Sequence, residues 1–333
     1  MTTGNLQPEA PLEEAVTLRN RAGQRLYGIL HRPAGRSTEA GMHGVHILNP
    51  GLKNRVAPNR LNVKIARTLC GLGYAVLRSD AHGIGDSEGR LGDGNASVLD
   101  LWLKIQKGAL VEDTLTWNDF FHRRAGLKGL TLVGQCGAGV TALLAAARDK
   151  RVNRLVLIDT PFRKVATCQG GHLIAEDYAS SEDILREGVR SVLQWAKLKK
   201  LLTFRVNGRL YLRALASWLR QRLPGRAPGK QLSLHERFNH PMAEAFRVLM
   251  KRSAQVFFLY AENDFSVKEF SSDFQPNFLE GDNWSMERCA LHIIPNANHI
   301  YTEIDWQQDL IDHIRRWVVR PTGTMDSSEL AVS

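Results

Sequence analysis

Apolar and polar residues follow two different periodicities along the chain. Near the N-terminus, residues 15–18 and 25–31 are apolar at about every second position, which predicts two antiparallel strands. From residue 44 to residue 158, short apolar runs alternate with longer segments of helical period. Short strands that are apolar on both faces are typical of a mostly parallel sheet covered by helices. The pattern therefore predicts an α/β fold.

The predicted strands cover 44–48, 74–79, 130–133 and 154–158, and the predicted helices 59–72, 111–124 and 138–148. The alternation stops at Asp159 and resumes with strands at 256–260 and 291–294 and a helix at 305–318. We therefore predict a core of residues 15–160 and 252–321, with a helical cap or lid at 161–251. Such an insertion would lie above the strand ends, where open α/β sheets bind ligands. Residues 1–14 are predicted as a polar tail and 322–333 as a disordered one.

Composition narrows the class of protein further. The chain has 333 residues, 43% hydrophobic and 23% charged, as expected of a globular protein. No apolar run approaches the about 20 residues of a membrane span, and no secretory signal is visible, so a cytoplasmic location is expected. The four cysteines show no paired spacing, which favours reduced thiols. Metal-binding and nucleotide-binding motifs are absent, so no metal ion or cofactor is expected.

The net charge of +10 is concentrated in one part of the predicted cap. Residues 186–230 hold twelve Lys and Arg against one acid, which gives +11 and leaves −1 for the rest. With Trp195 and Trp218, this segment predicts basic amphipathic helices whose charged face is solvated. An acidic acyl carrier protein or coenzyme A, and then a peripheral membrane contact, are the alternative partners. Nucleic acid is not expected, because no recognition module is present.

Two segments are candidates for a nucleophile turn. Gly-Asp-Ser-Glu-Gly at 85–89 matches the G-x-S-x-G pattern, but Ser87 has neither a strand before it nor a helix after it, which indicates a loop. Gly-Gln-Cys-Gly-Ala at 134–138 lies between a predicted strand and a predicted helix. A thiol at a helix N-terminus beside a histidine is activated as a nucleophile. We therefore predict Cys136 as the nucleophile; a small buried cysteine is the alternative.

The partners of Cys136 are expected further along the chain, at the ends of the later strands. When the nucleophile lies on a turn between a strand and a helix, the acid and then the histidine follow it in sequence. Asp264 follows the strand at 256–260, and His299 follows the strand at 291–294. Glu262 and Asp159 are alternative acids, and His292, inside a strand, is interpreted as structural. The predicted oxyanion hole uses backbone N–H groups of Gly137 and Leu52. Candidate pocket residues are Gln135, Gly51, His82 and His240.

Four stretches together resemble the α/β-hydrolase superfamily: residues 54–60, residues 77–89, the turn at Cys136, and Asn298 with His299. They are most similar to the serine aminopeptidase-like group and to bacterial hydrolases associated with exosortase systems. Dienelactone hydrolase and polyhydroxyalkanoate synthase are relatives with cysteine as nucleophile. The resemblance implies an ester or thioester substrate and an acyl-enzyme. An acyltransferase with the same cysteine, and a non-catalytic binding protein on this fold, are alternative hypotheses.

Overall fold

The computed structural model of the protein describes residues 12–33, 43–164, 238–279 and 288–320. The basic segment 186–230 lies outside the described residues, as does the predicted tail at 322–333. The helical cap and its expected acidic or membrane partner therefore remain predictions. In the part that is described, no helix has both the length and the apolar character needed to cross a bilayer.

One sheet of eight strands organises the described residues, in the order β1-β2-β4-β3-β5-β6-β7-β8. Its strands are β1 (Leu12–Arg19), β2 (Arg25–Arg32), β3 (His43–Leu48), β4 (Ala75–Ser79), β5 (Gly129–Gln135), β6 (Val152–Ile158), β7 (Gln255–Ala261) and β8 (Cys289–Ile294). β1 and β2 pair antiparallel, as do β2 and β4, and all other pairs are parallel. The predicted α/β class is confirmed.

Seven α-helices and one π-helical segment accompany the sheet in the described residues. They are α1 (Leu61–Gly71), α2 (Val98–Gln106), α3 (Val111–Ala125), α4 (Gly137–Arg148), α5 (His240–Lys251), α6 (Phe265–Glu269), a π-helical segment (Phe270–Leu279) and α7 (Ile304–Val319). α1 and α7 cover one face, where Leu69, Ile314 and Trp317 join the core with Val45 and Phe257. α2, α6 and the π-helical segment were not predicted from the sequence.

Two predicted boundaries differ in the structure. β1 begins at Leu12, within the predicted polar tail of residues 1–14, because residues 12–14 pair with residues 30–32 of β2. α5 lies within the predicted cap of residues 161–251, yet it packs against α4 of the core. Its apolar face buries Met242, Phe246 and Leu249, which explains the packing. The chain divides into two units, residues 1–164 with 238–333, and residues 165–237, of which the second lies outside the described residues.

Two residues of the first unit, one on each side of the segment 165–237, lie next to each other. Arg163, just before it, forms an antiparallel bridge with Phe238, just after it. Arg163 Nε lies 2.6 Å from the buried carboxylate of Asp273, and the backbone carbonyl of Arg163 accepts a 2.8 Å hydrogen bond from Gln106 Nε2. The rings of Phe162 and Phe274 stack beside this bridge with centroids 4.0 Å apart. The chain thus leaves and re-enters the core at one fixed place.

Candidate active site

Cys136 lies in a sharp turn between β5 and α4. Its backbone angles, φ 58° and ψ −124°, are rarely adopted by a residue other than glycine. The turn brings strand and helix so close that a Cβ on Gly134 would lie 2.3 Å from the carbonyl oxygen of Ala138. The N–H of Cys136 donates a 2.8 Å hydrogen bond to the carbonyl of Ile158, the last residue of β6. The side chain is thereby held, half-buried, at the N-terminus of α4.

His299 and Asp264 meet beside Cys136. Nδ1 of His299 lies 2.8 Å from Oδ2 of Asp264. The other carboxylate oxygen of Asp264 caps α6 by accepting a 2.8 Å hydrogen bond from the N–H of Ser266. Cys136 is a further neighbour of the His299 ring, and it helps to raise the pKa of that ring. Cys136, Asp264 and His299 follow β5, β7 and β8, so three strand ends on the same edge of the sheet bring together residues that are far apart in sequence.

The electrostatics of this cluster favour a protonated imidazole. Burial acts to lower the pKa of His299, but Asp264 and Cys136 outweigh it and raise that pKa well above its ordinary value. Burial also acts to raise the pKa of Asp264, and the contacts with His299 and Ser266 reverse this and lower it. At neutral pH the ring therefore carries a proton next to an ionised Asp264. The ring is still 40% exposed, which leaves it accessible from outside.

The two alternative acids make different contacts. Glu262 is exposed and accepts a 2.6 Å hydrogen bond from the N–H of Asn296 in the loop before His299. Asp159, at the end of β6, is fully buried; its Oδ1 accepts from the N–H of Ala261 at 2.8 Å, and its Oδ2 lies 3.8 Å from His299 Nδ1. Burial, and then the neighbouring Asp264, raise the pKa of Asp159 to about 7. Asp264 is thus the carboxylate in direct contact with the imidazole.

Replacing Asp159 with asparagine should remove a pH dependence of stability. The folded pKa of Asp159 is raised from 3.8 to about 7, so the folded state holds a proton that the unfolded state releases. Its contribution is present at low pH and lost as the pH rises through about 7. Between pH 5 and pH 8, Asp159→Asn should therefore gain about 3 kcal/mol in unfolding free energy relative to wild type. Urea unfolding of both proteins at the two pH values measures this; a constant difference would mean that Asp159 is ionised throughout.

Two side-chain amides hold the loop that carries His299. Gln135 Nε2 donates a 2.8 Å hydrogen bond to the backbone carbonyl of His299, and Asn59 Nδ2 donates one of the same length to the carbonyl of Ile300. Gln135, which the sequence suggested as a pocket residue, is buried, and its amide nitrogen is directed to this loop. Sequence analysis missed Asn59, because its partner is 241 positions away. Both amides thus fix the position of the imidazole relative to Cys136.

The candidate oxyanion loop lies against the start of α4. Lys53 N–H donates to the Pro50 carbonyl at 2.9 Å, which closes a turn with Gly51 at φ 54°. Asn49 fixes the turn by donating a 2.8 Å hydrogen bond from Nδ2 to the Gly51 carbonyl. A Cβ on Gly51 would lie 3.8 Å from the nitrogen of Gly137, whose N–H, in the first turn of α4, has no partner within the helix. Leu52, the other predicted donor, belongs to the same turn.

The remaining candidates have described contacts elsewhere. His82 Nδ1 lies 2.7 Å from Asp113 Oδ2, and the backbone N–H of His82 donates to the same oxygen. His240 is the first residue of α5, and its ring packs edge-on against Phe238. Pocket roles for His82 and His240 therefore stay predictions. Ser87 is buried and bonded to the backbone of Asp80 and Tyr27, as expected for a loop residue rather than a nucleophile.

The arrangement of sheet, turn and strand-end residues is the α/β-hydrolase fold. Among solved structures, the chain is similar to an esterase, PF2001, from Pyrococcus furiosus, with 15% identity, TM-score 0.55 and coverage of 97% of each chain. It is also similar to a hypothetical protein, PA2218, from Pseudomonas aeruginosa (17% identity, TM-score 0.54, covering 94% of this chain and 99% of that one). A third similar structure is Est1E from Butyrivibrio proteoclasticus with bound ferulic acid, with 14% identity and a TM-score of 0.50, covering 92% of this chain and 98% of that one. No protein-family model and no curated protein matches the sequence.

Proposed function

We propose that the protein is a hydrolase of esters or thioesters that works through an acyl-enzyme on Cys136. The observation that carries the proposal is the 2.8 Å contact between His299 and Asp264 at the sheet edge where the turn also presents Cys136, which helps to raise the pKa of His299. A nucleophile, a base and a residue that orients the base are the three parts required for covalent acyl transfer. Esterases are among the solved structures of this fold that the chain resembles, which supports an ester substrate.

Before the first half-reaction the proton of the Cys136 thiol is already on His299, and the resulting thiolate attacks the carbonyl carbon of the substrate. The carbonyl oxygen becomes an oxyanion, for which the N–H groups of Gly137 and Leu52 are the proposed donors. When the tetrahedral intermediate collapses, the bond from carbon to the leaving group breaks, and His299 gives its proton to the departing alcohol or thiol. Asp264 holds Nδ1 of the ring, so that Nε2 is the nitrogen available to sulfur and leaving group.

In the second half-reaction, water attacks the thioester on Cys136 and gives a proton to His299. Collapse of this intermediate breaks the carbon–sulfur bond, releases the carboxylic acid and restores the Cys136 thiolate beside the protonated His299. Each half-reaction restores the charge of the site. The high pKa of His299 favours the imidazolium next to sulfur, which suits a cysteine nucleophile, because the thiolate is the reactive form.

Alkylation rates test the proposed nucleophile directly. We expect iodoacetamide at pH 6.5 to modify Cys136 at least about tenfold faster than Cys70 or Cys289. Burial raises the pKa of the Cys70 thiol to about 11 and that of Cys289 well above its ordinary value, and both are enclosed in the core. Intact-mass spectrometry with peptide mapping measures the three rates. The His299→Ala variant should slow labelling of Cys136 alone.

Two outcomes of this experiment would count against the proposal. Labelling of Cys136 no faster than that of the two buried thiols would indicate a packed cysteine rather than a nucleophile. Labelling that is fast but indifferent to His299→Ala would indicate accessibility without activation. His122→Ala, in α3, serves as the matched control for removal of an imidazole and should leave every rate unchanged.

A further inference from the structure

Helix α2 presents apolar side chains beside the proposed nucleophile. Six of the nine residues of α2 are apolar, yet only Ile105 and Gln106 are fully buried. Val98 is 64% exposed, and Trp102 is half-buried. A helix that is apolar around most of its surface is normally enclosed in a core. Apolar surface that stays open beside convergent polar groups is typical of a ligand-binding site.

The end of the Trp102 ring reaches the proposed oxyanion hole. A Cβ on Gly137 would lie 3.2 Å from Cη2 of Trp102 and 3.2 Å from Cγ2 of Ile105. The same position would lie 3.1 Å from the Cα of Gly51. α2 therefore contacts the turn of Cys136 at the residue whose N–H is a proposed oxyanion donor. A substrate whose carbonyl oxygen binds there comes within contact distance of the indole.

Hydrogen bonds fix the position of α2 at both of its ends. Ser97 and Asp100 form a reciprocal capping box at its start. At its end, the side chain of Gln106 donates a 2.8 Å hydrogen bond to the carbonyl of Arg163, and the carbonyl of Gln106 accepts a 3.3 Å hydrogen bond from Asn239 Nδ2. A surface that is held in this way keeps a constant distance from the substrate, as a specificity site requires.

The order of the strands places α2 on the acyl side of the reaction. In the proposed reaction His299 gives its proton to the leaving group, so the leaving group faces the ends of β7 and β8. The oxyanion loop follows β3, which lies on the other side of β5 in the sheet. Leu52 of that loop packs on the same apolar cluster as Ile105 of α2. The acyl chain extends away from the leaving group and therefore runs along α2.

We propose that α2 forms the acyl-binding surface of the site and that Trp102 makes the enzyme select medium-length, straight apolar acyl chains over short ones. This inference rests on the proposed function, because it requires Cys136 to accept an acyl group. Trp102 offers a flat apolar surface to the first methylenes of the chain, and the exposed Val98, one helical turn away on the same side of α2, continues it. Each methylene that leaves water contributes about fourfold in affinity, so an octanoyl group binds better than an acetyl group.

The dependence of turnover on acyl-chain length tests this proposal. The values of kcat and KM are measured for the 4-nitrophenyl esters of acetate, butyrate and octanoate. In kcat/KM, wild type should prefer octanoate to acetate by at least about tenfold, and Trp102→Ala should lower this ratio by at least about tenfold through a higher KM for octanoate. Turnover of acetate should stay within about threefold of wild type, because an acetyl group has no chain to lie along α2. Trp102→Phe retains an aromatic surface and should retain the preference.

Two further variants complete the experiment. Val98→Ala, at an exposed position that does not affect folding, should lower the ratio of octanoate to acetate by about threefold. Trp306→Ala is the matched control, because it removes another half-buried indole, which packs on the core of α1 and α7, and it should keep the wild-type ratio.

The possible results separate this inference from the proposed function. An equal loss for all three esters in Trp102→Ala would overturn the inference, because the ring would then only support Gly137. An unchanged ratio in both Trp102→Ala and Val98→Ala would overturn it as well, while the acyl-enzyme on Cys136 would stand. Absence of an acyl adduct on wild-type Cys136 with every ester would refute the proposed function and this inference together.

Discussion

Replacing Cys136 with alanine should reduce kcat/KM for 4-nitrophenyl esters and for acyl thioesters by about 10³-fold or more. The substitution removes the atom that forms the acyl bond and leaves the backbone of the turn in place. Release of 4-nitrophenol, or of free thiol from a thioester, measures the rate. Intact-mass spectrometry during turnover should show an acyl adduct on the wild-type protein and none on Cys136→Ala.

The Cys136→Ser variant tests whether a thiol is required at this position or whether a hydroxyl can replace it. A hydroxyl is a much weaker acid than a thiol, so the serine stays protonated at a pH where a cysteine beside a histidine forms the reactive thiolate. The serine variant should therefore lose more than tenfold in kcat/KM while keeping the shape of the site. Cys70→Ala, a substitution of a buried thiol in α1, is the control for thiol loss and should keep wild-type turnover. Wild-type activity in Cys136→Ala would refute the assignment of the nucleophile.

The two buried carboxyls near His299 should differ sharply in their effect on catalysis. Asp264→Asn should lower kcat/KM by about 10²–10⁴-fold, because an amide favours the wrong imidazole tautomer at the 2.8 Å contact. Asp159→Asn should stay within about tenfold of wild type at pH 6, because below about pH 7 Asp159 is itself uncharged. The same ester assay measures both variants, and both substitutions preserve side-chain shape.

The reverse order of effects would assign the triad acid to Asp159. A large loss in both variants would mean that the two carboxyls act together on His299. Glu262→Gln is the control for this pair, since Glu262 is exposed and contacts the backbone of Asn296. It should leave kcat/KM unchanged, and a loss comparable to that of Asp264→Asn would show that the position of the loop matters more than charge on the imidazole.

Periodicity predicted the parallel strands well because each is apolar on both faces and short. Periodicity missed the helices whose local sequence pattern does not reveal the face that tertiary packing buries. α2 follows a glycine-rich loop and keeps Val98 exposed, which hides its apolar face. Ser97 and Asp100 nevertheless form a reciprocal capping box that the sequence spacing could have revealed. The π-helical segment contains Pro276, which argues against a helix on local grounds alone.

Within the candidate site, sequence identified the residues that follow strands, since parallel strands end at a common edge. It could not identify residues that act through long-range contacts. Gln135 and Asn59 reach the His299 loop across 164 and 241 positions, and no local pattern marks such pairs.

The bridge between Arg163 and Phe238 makes the topology of the sheet independent of the length of the intervening segment. Because the bridge already holds these two residues side by side, a longer or shorter segment between them leaves the geometry of the core unchanged. The entropic penalty of closing a longer loop grows only with the logarithm of its length, by about 0.6 kcal/mol for each doubling. Segments of very different size and composition can therefore be exchanged at this junction without refolding the sheet. The junction thus tolerates variation in the length of the segment while the residues at the strand ends keep their positions.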